Sequence, residues 1–326
     1  MKDIMFTNKQ FQQLVPKLRE KGFYRWQSQR PIDWPAYTLN QINDIIDSLH
    51  FIRDEVNKIH VPSTIKKVGR PAIDEGNLAK AILFTELYSF PERKAEGWIK
   101  LMGLHMGINQ HIDDRVLGKA YKSKKVQEIL EQIFVNNRES DGKNGGDGTG
   151  LERSRKENYE STKKKNLYMT SIVDSREIVL AFDISGKQEC KVMHLLVKEL
   201  SVMIKKSKSK KLQQKLTLDA GFVDRKLAQV IEDSGLTPYM FPKNNLTLAA
   251  KGFAAWKKMW IKLLKDTQHW LKEYHIRSHT ESFHSSFKRV FGIVRRILDE
   301  TAYTQVLSRI IHNNRRKLNY FRMTSV

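Results

Sequence analysis

The stretch YHIRSHTESFHSSFK lines up a phenol, a guanidinium, a carboxylate and an ammonium. Arg277, Glu281 and Lys288 stand three, seven and fourteen residues after Tyr274. On a helix turning ~100° per residue, all four fall within roughly 60° of one another. One face then carries a lone acid flanked by groups that bind phosphate. The plain alternative is a solvated face with an Arg277–Glu281 pair four residues apart, which is common. Two further acids sharpen the chemistry. Asp219 ends the alternating segment KLTLDAGF and precedes a glycine turn, and Asp147 sits in GDGTG. Acids at strand ends converge on a helix acid when the strands are neighbours. Three such carboxylates would hold two Mg²⁺ about 3.5–4 Å apart, which activate a water or a 3′-hydroxyl for in-line attack on a phosphodiester. Oxygen-only ligands suit Mg²⁺ or Mn²⁺ rather than a thiol-preferring metal. Arg and Lys beside them clamp substrate phosphates.

Other groups fit chemistry less well. His275, His279 and His284 crowd one helix, and an i,i+4 His pair can bind zinc. No HExxH motif and no cysteine partner accompanies them, so they read as surface or phosphate-adjacent residues. His194 reads as a packed or capping histidine. Asp141 is a substitute for Asp147, Asp174 and Asp183 read as hairpin acids, and Asp224 as the cap of the helix from Arg225. Trp256, Trp260 and Trp270 read mainly as core, with one free to stack on a displaced base. No phosphate-binding P-loop motif occurs, so no nucleotide cofactor is expected. No Ser or Cys nucleophile arrangement is visible.

Elements that position the acids follow from periodicity. Residues 1–65 mix helix and loop. From Gly69 to Phe134 the pattern is helical, with Leu78, Ala81, Ile82 and Leu87 at helix spacing. Ser89-Phe90-Pro91-Glu92 has a capping-box arrangement ahead of a short helix that stops at Gly103. That pair is either a helix-turn-helix DNA reader or a plain helical hairpin. Val126, Ile129, Leu130, Ile133 and Phe134 form an apolar helix stripe. VNNRESDGKNGGDGTG, residues 135–150, is polar and reads as a flexible linker. LYMTSIVDS and REIVLAFDIS read as two strands around Asp174-Ser175. Helices are expected over 188–203, 225–233, 254–271, 274–290 and 300–320, and TPYMFPK as a short strand. The order suggests an α/β domain behind a helical module.

Lys plus Arg number 58 and Asp plus Glu 36, a formal charge of +22. The 40% hydrophobic share is enough for a core and excludes global disorder. A surplus of this sign points to a polyanion, most simply nucleic acid. Lys163–Lys165, Lys205–Lys211, Arg295-Arg296 and Arg315-Arg316-Lys317 suggest one broad basic surface in the second half. A single cysteine, Cys190, excludes an internal disulfide framework and a Cys-rich zinc site. No apolar run approaches the ~18 residues of a membrane span, so no membrane partner is expected, and a cytoplasmic, nucleoid-associated location is.

The spacing Y-x₂-R-x₃-E-x₆-K resembles the signature around the third acid in one branch of DDE-type insertion-sequence transposases. Tyr274, Arg277, Glu281 and Lys288 match it without a gap. LDAGFVD resembles the turn at that family's second Asp, and DGTG its first. GRPAIDEGNLAKAILF is similar to its N-terminal helical region and RIIHNNRRKLNYF to its closing helix. The resemblance spans about residues 66–320. It implies an α/β, RNase H-like catalytic domain, a mixed sheet flanked by helices, preceded by a helical N-terminal DNA-binding region. Residues 1–65 would be an extension, 66–135 the helical DNA-binding region, and 136–326 the catalytic domain with a basic C-terminal helix. Asp147 would lie on the first strand, Asp219 on the fourth and Glu281 on a later helix, together binding Mg²⁺, with Mn²⁺ able to substitute. Tyr274, Arg277 and Lys288 would hold DNA phosphates. The implied activity is cleavage of double-stranded element ends and joining of their 3′-hydroxyls to target DNA by a homodimer on paired ends. A sibling nuclease that never joins, and a DNA-binding relative without catalysis, stay open. The polar DGKNGG stands where that family has an apolar strand.

Overall fold

The computed structural model describes residues 6–20, 23–24, 31–61, 72–154, 166–186, 189–206 and 214–324. Its helices before the sheet are α1 (Asn8–Lys17), α2 (Trp34–Ile42), α3 (Asp44–Ile59), α4 (Glu75–Leu87), α5 (Glu92–Met102), α6 (Asp114–Ala120) and α7 (Lys124–Asn136). Then come β1 (Lys143–Glu152), β2 (Asn166–Asp174), β3 (Val179–Asp183), α8 (Glu189–Lys206), β4 (Lys215–Leu218), α9 (Arg225–Asp233) and β5 (Thr237–Met240). The chain closes with α10 (Ala254–Lys265), α11 (Thr267–Tyr274), α12 (Ser278–Phe291) and α13 (Asp299–Thr324). Two compact units result, and they do not follow chain order. The first takes Met1–Pro31, Glu139–Gly150 and Tyr168–Ser285; the second takes Ile32–Arg138, Leu151–Leu167 and Ser286–Val326.

The first unit is built on a sheet of order β3-β2-β1-β4-β5. β1 pairs parallel with β4, β4 parallel with β5, and β2 antiparallel with β3. This is the mixed α/β, RNase H-like arrangement expected, with helices packed on it. The central strand β1 is the segment whose composition reads as a linker. That reading is wrong, for a steric reason. A Cβ on Gly145 would stand 2.5 Å from Thr280 Oγ1 and 3.3 Å from the Arg277 Cα. A Cβ on Gly146 would meet Leu218 Cδ2 at 2.6 Å and Met193 Cε at 2.9 Å. Successive strand residues face opposite sides. One face of β1 is therefore pressed by the chain entering α12 and the other by α8, and glycine lets both approach. Trp256, Trp260 and Trp270 are all buried, so none is left to stack on a base. Phe11 of α1 joins them, 5.2 Å from the Trp260 ring.

Helix breaks differ from the periodicity in three places. Asp266 accepts from His269 N at 2.9 Å and splits the expected 254–271 helix into α10 and α11. The expected 274–290 helix is interrupted by a 3₁₀ turn over His275–Arg277. The capping box at Ser89 does not form: Ser89 is left-handed at φ 52°, Pro91 takes the cap position, and Ser89 Oγ donates to the Phe291 carbonyl. Asp224 does cap α9, accepting from Leu227 N at 2.7 Å.

The second unit packs α13 on α4 and α7, with α3 against α4. α13 is read from sequence as a basic surface helix, yet Val306, Leu307, Ile310 and Ile311 are core. Its arginines turn inward. The fully buried Glu86 accepts from Arg309 Nε at 2.8 Å, from Gln305 Nε2 at 2.9 Å and from Tyr121 Oη at 2.6 Å. Arg315 and Arg316 both pair with Asp44. Arg295 donates to the Ser89 and Phe90 carbonyls, and Arg296 pairs with Glu92. The expected basic surface therefore loses these arginines to the buried Glu86, to the partly covered Asp44 and Glu92, and to backbone carbonyls. Lys163–Lys165, Lys208, Lys210 and Lys211 lie outside the described residues. Among the described residues, no helix is long and apolar enough to cross a membrane.

This packing can be tested in two ways. Gly145→Ala should lower unfolding free energy by about 1–3 kcal/mol, whereas Gly221→Ala, whose Cβ meets nothing within 4 Å, should change it far less; equal losses in denaturant melts would refute the steric account. The second test concerns the hairpin turn, where Asp174 accepts the Arg176 and Ile178 amides. Burial, with the Asp141 charge adding and Arg176 opposing, pushes its carboxyl up to about 6. An unfolded Asp titrates near ~3.9, so between those values the folded chain holds a proton that the unfolded chain has lost. Wild-type stability should therefore fall relative to Asp174→Asn as pH rises through that window, then run parallel above it. A stability gap between the two that is constant from pH ~4 to ~7 contradicts this.

Candidate active site

The β1–β4 register ends at Gly146 opposite Leu218. The next residue on each strand is an acid, so Asp147 and Asp219 emerge side by side at the same end of two parallel neighbours. Asp147 shares the β1 face of Gly145, two residues before it. That face is the one covered by Arg277 and Thr280. Glu281 follows on the first turn of α12. The parallel register and the glycine contact thus bring together acids that are remote along the chain.

Arg277 stands among them. Its Nη2 donates to Glu281 Oε1 at 2.8 Å, and its Nη1 lies 3.6 Å from Asp147 Oδ2. Asp147 and Arg277 are about four-fifths covered, while the Glu281 side chain is 56% exposed. Burial pushes the Asp147 carboxyl up, and the Asp219 and Glu281 charges push it further. The Gly148 amide, which donates to Asp147 Oδ1 at 2.9 Å, and Arg277 oppose this without cancelling it. Burial works against the Arg277 charge, but Tyr274, Glu281, Asp219 and Asp147 outweigh it and raise the guanidinium. These acids therefore crowd one another around a cation. Perturbed carboxyls of this kind mark sites built for chemistry more often than for stability.

Tyr274 is buried, stacked on Trp270 at 5.4 Å and 9° and against Phe241 at 5.4 Å. Burial pushes its phenol well up, Arg277 opposing. It closes α11, ahead of the 3₁₀ turn over His275–Arg277, and so does not continue one helix face with Glu281 and Lys288 as the spacing suggests. Lys288 is exposed on α12, about two turns beyond Glu281. Asp141 is not a substitute ligand here: it accepts from Lys143 N and Ser175 Oγ at the hairpin. His284 is buried against Ser171 Oγ at 2.9 Å, and His275 stacks on Tyr24.

Some neighbours of Asp147 carry no sequence signal. Tyr168 of β2 is pushed up to about 12, by its hydrogen bond to Glu189 and by burial, with the Glu189 and Asp147 charges adding. Glu189 starts α8, and neither it nor Tyr168 has spacing that ties it to Asp147. Only strand pairing and the α8 contact bring them near.

The donor set is all carboxylate oxygen, which fits Mg²⁺ or Mn²⁺. The three acids do not already share a ligand shell. Among the described residues, the trios of ligand atoms within 4.8 Å of one another are Cys190, His194 and Asp224, and His60, Asp74 and Glu75. Among the described residues Arg277 is the guanidinium set against these like charges.

Residues 146–306 match the family model described as Transposase DDE domain. These residues belong to the DDE-type transposases. The matched stretch contains Asp147, Asp219, Tyr274, Arg277, Glu281 and Lys288. No curated protein matches the chain. Among solved structures, the cryo-EM structure of the piggyBac transposase synaptic complex with hairpin DNA is similar, with a TM-score of 0.44 and 11% identity over 90% of this chain and 75% of that one. That likeness is too slight to bear on the transposase site.

Arg277→Ala should leave the acids of the transposase domain without their counter-charge. Stability at pH 7 should fall by about 1–3 kcal/mol. The loss should shrink as pH falls and Asp147, whose proton affinity is raised, takes up a proton, and Asp147→Asn should restore part of it. A loss independent of pH would mean that Arg277 supports the fold by packing alone.

Proposed function

We propose that this protein is a DNA transposase that binds the ends of its own insertion element, cleaves them by metal-dependent phosphodiester hydrolysis and joins the 3′-hydroxyls to target DNA. The observation that carries the reading is the register that sets Asp147 beside Asp219, with Glu281 joined to Asp147 through Arg277. The family of residues 146–306 supports the same chemistry. Asp147, Asp219 and Glu281 would hold Mg²⁺, with Mn²⁺ able to substitute, because mutual repulsion makes a cation welcome there and all donors are oxygen. The bound ion supplies an activated water or 3′-hydroxyl and a stabilised leaving oxygen.

The chain's own residues do the rest. Arg277 neutralises the acids in the free protein. Once their charge is met otherwise, its planar fork is freed to grip a phosphate of the element end. Tyr274 acts through Arg277 as a positioning residue, since it is buried and its side chain is hydrogen-bonded to Arg277. Exposed Lys288 extends the phosphate track along α12. A net charge of +22 favours a long polyanion over a small substrate. Two ends must be cut in concert, which calls for a homodimer on paired ends and a nucleoid-associated location. The helical region 66–135 is assigned to reading the end sequence.

Purified wild type should cleave intact ends in Mg²⁺ and join a pre-cut 3′-hydroxyl end to target DNA. Glu281→Gln should do neither while still retarding the end fragment in a gel. Normal cleavage by Glu281→Gln removes Glu281 from the site. A wild type that cleaves but never joins is a nuclease. One that binds in a salt-sensitive way and does not cleave even in Mn²⁺ is a DNA-binding relative without catalysis.

A further inference from the structure

A second set of ligand-type side chains lies in the first unit, outside the carboxylate cluster. Cys190 and His194 sit four residues apart on α8 and so face the same way. Asp224 reaches them from the cap of α9. A sulfur, an imidazole nitrogen and a carboxylate oxygen from the three lie within 4.8 Å of one another. His194 Nε2 is 3.9 Å from Asp224 Oδ1. That is too long for a hydrogen bond and close to the spacing of two ligands on one ion. With Zn–N about 2.0–2.1 Å and Zn–S about 2.3 Å, tetrahedral ligands stand roughly 3.3–3.6 Å apart, so small rotamer changes close the trio. All three residues are half-buried, sheltered yet reachable from solvent. Asp224 Oδ1 also accepts the Leu227 amide at 2.7 Å, a hydrogen bond that orients the carboxylate and leaves that oxygen a second lone pair. The other trio behaves differently. His60 Nε2 is hydrogen-bonded to Asp74 Oδ2 at 2.8 Å, and Glu75 pairs with Lys125 outside the trio, so each already has a partner without an ion.

We propose that Cys190, His194 and Asp224 form a binding site for a thiolate-preferring divalent ion such as Zn²⁺, with a fourth position open to water. The mixed sulfur, nitrogen and oxygen set selects against Mg²⁺. The ion ties α8 to the loop that carries Asp219, five residues before Asp224. It therefore braces one acid of the candidate active site without taking part in its chemistry. The proposal stands independently of the transposase reading.

The full-length chain, stripped of metal and held in excess Mg²⁺ to occupy oxygen-only sites, is titrated with Co²⁺. One equivalent should produce a near-ultraviolet thiolate-to-cobalt charge-transfer band and the strong visible bands of a four-coordinate ion. Cys190 is the single cysteine, so the band reports on this position alone. His194→Ala and Asp224→Asn should lose or weaken it severely; Asn keeps an acceptor for the α9 cap, so that variant should fold. Zn²⁺ should also slow thiol modification of Cys190 by at least about tenfold, because the free thiolate is the reactive form. A wild type with no thiolate band overturns the site. So does a band of undiminished affinity in both folded variants, which would mean adventitious binding to the thiol only.

Discussion

Tight packing against the glycines of β1 governs the unit that carries the acids. Thr280 Oγ1 and the Arg277 Cα lie over Gly145, and the Leu218 and Met193 side chains over Gly146, closer than a Cβ there would permit without a shift. Glycine ordinarily weakens a strand. Here the loss is offset by burying two helices against the sheet, whose apolar faces supply the core. The same contact sets the position of Arg277 and Thr280 over the Asp147 face, and so the reach of Glu281. Parallel pairing of β1 with β4 does the remainder by bringing two strand-end acids abreast.

Acids are handled in two contrasting ways in this molecule. In the second unit, Glu86 and Asp44 are enclosed and met by arginine, amide and phenol donors. Breaking such pairs leaves a buried charge without compensation, so they act as structural locks. In the first unit, Asp147, Asp219 and Glu281 share a single guanidinium, and Glu281 faces solvent. Burial, with the Asp219 and Glu281 charges adding, leaves Asp147 with a raised proton affinity that Arg277 does not cancel. That imbalance suits a ligand that brings positive charge, and it distinguishes the two clusters although both are built from arginine and carboxylate.

Net charge shows the limit of reading composition as surface. A surplus of +22 points to a polyanion. Yet arginines clustered in the sequence, at 295–296 and 315–316, point inward to acids and carbonyls. Their partners lie on α3, α4 and α5, far away in the chain, and local spacing carries no trace of them. Lys288, in contrast, is exposed where helical periodicity puts it.

Local signals determined much of this protein. Apolar runs bounded by turn residues mark β2 to β5, apolar stripes mark α4 and α7, and Asp224 caps α9 as its place before Arg225 suggests. The spacing of Arg277 and Glu281 already encodes their i,i+4 pair, since it depends only on helix geometry. Tertiary structure alone decided the rest. β1 is a strand because of what covers it, and no glycine-rich pattern distinguishes that from a linker. Tyr274 is buried at the end of α11 because the helix breaks at His275, and Tyr168 and Glu189 approach Asp147 only through strand pairing and the packing of α8. Periodicity reports which way a residue faces along its own element; which charges and backbones meet it from another element is set by packing.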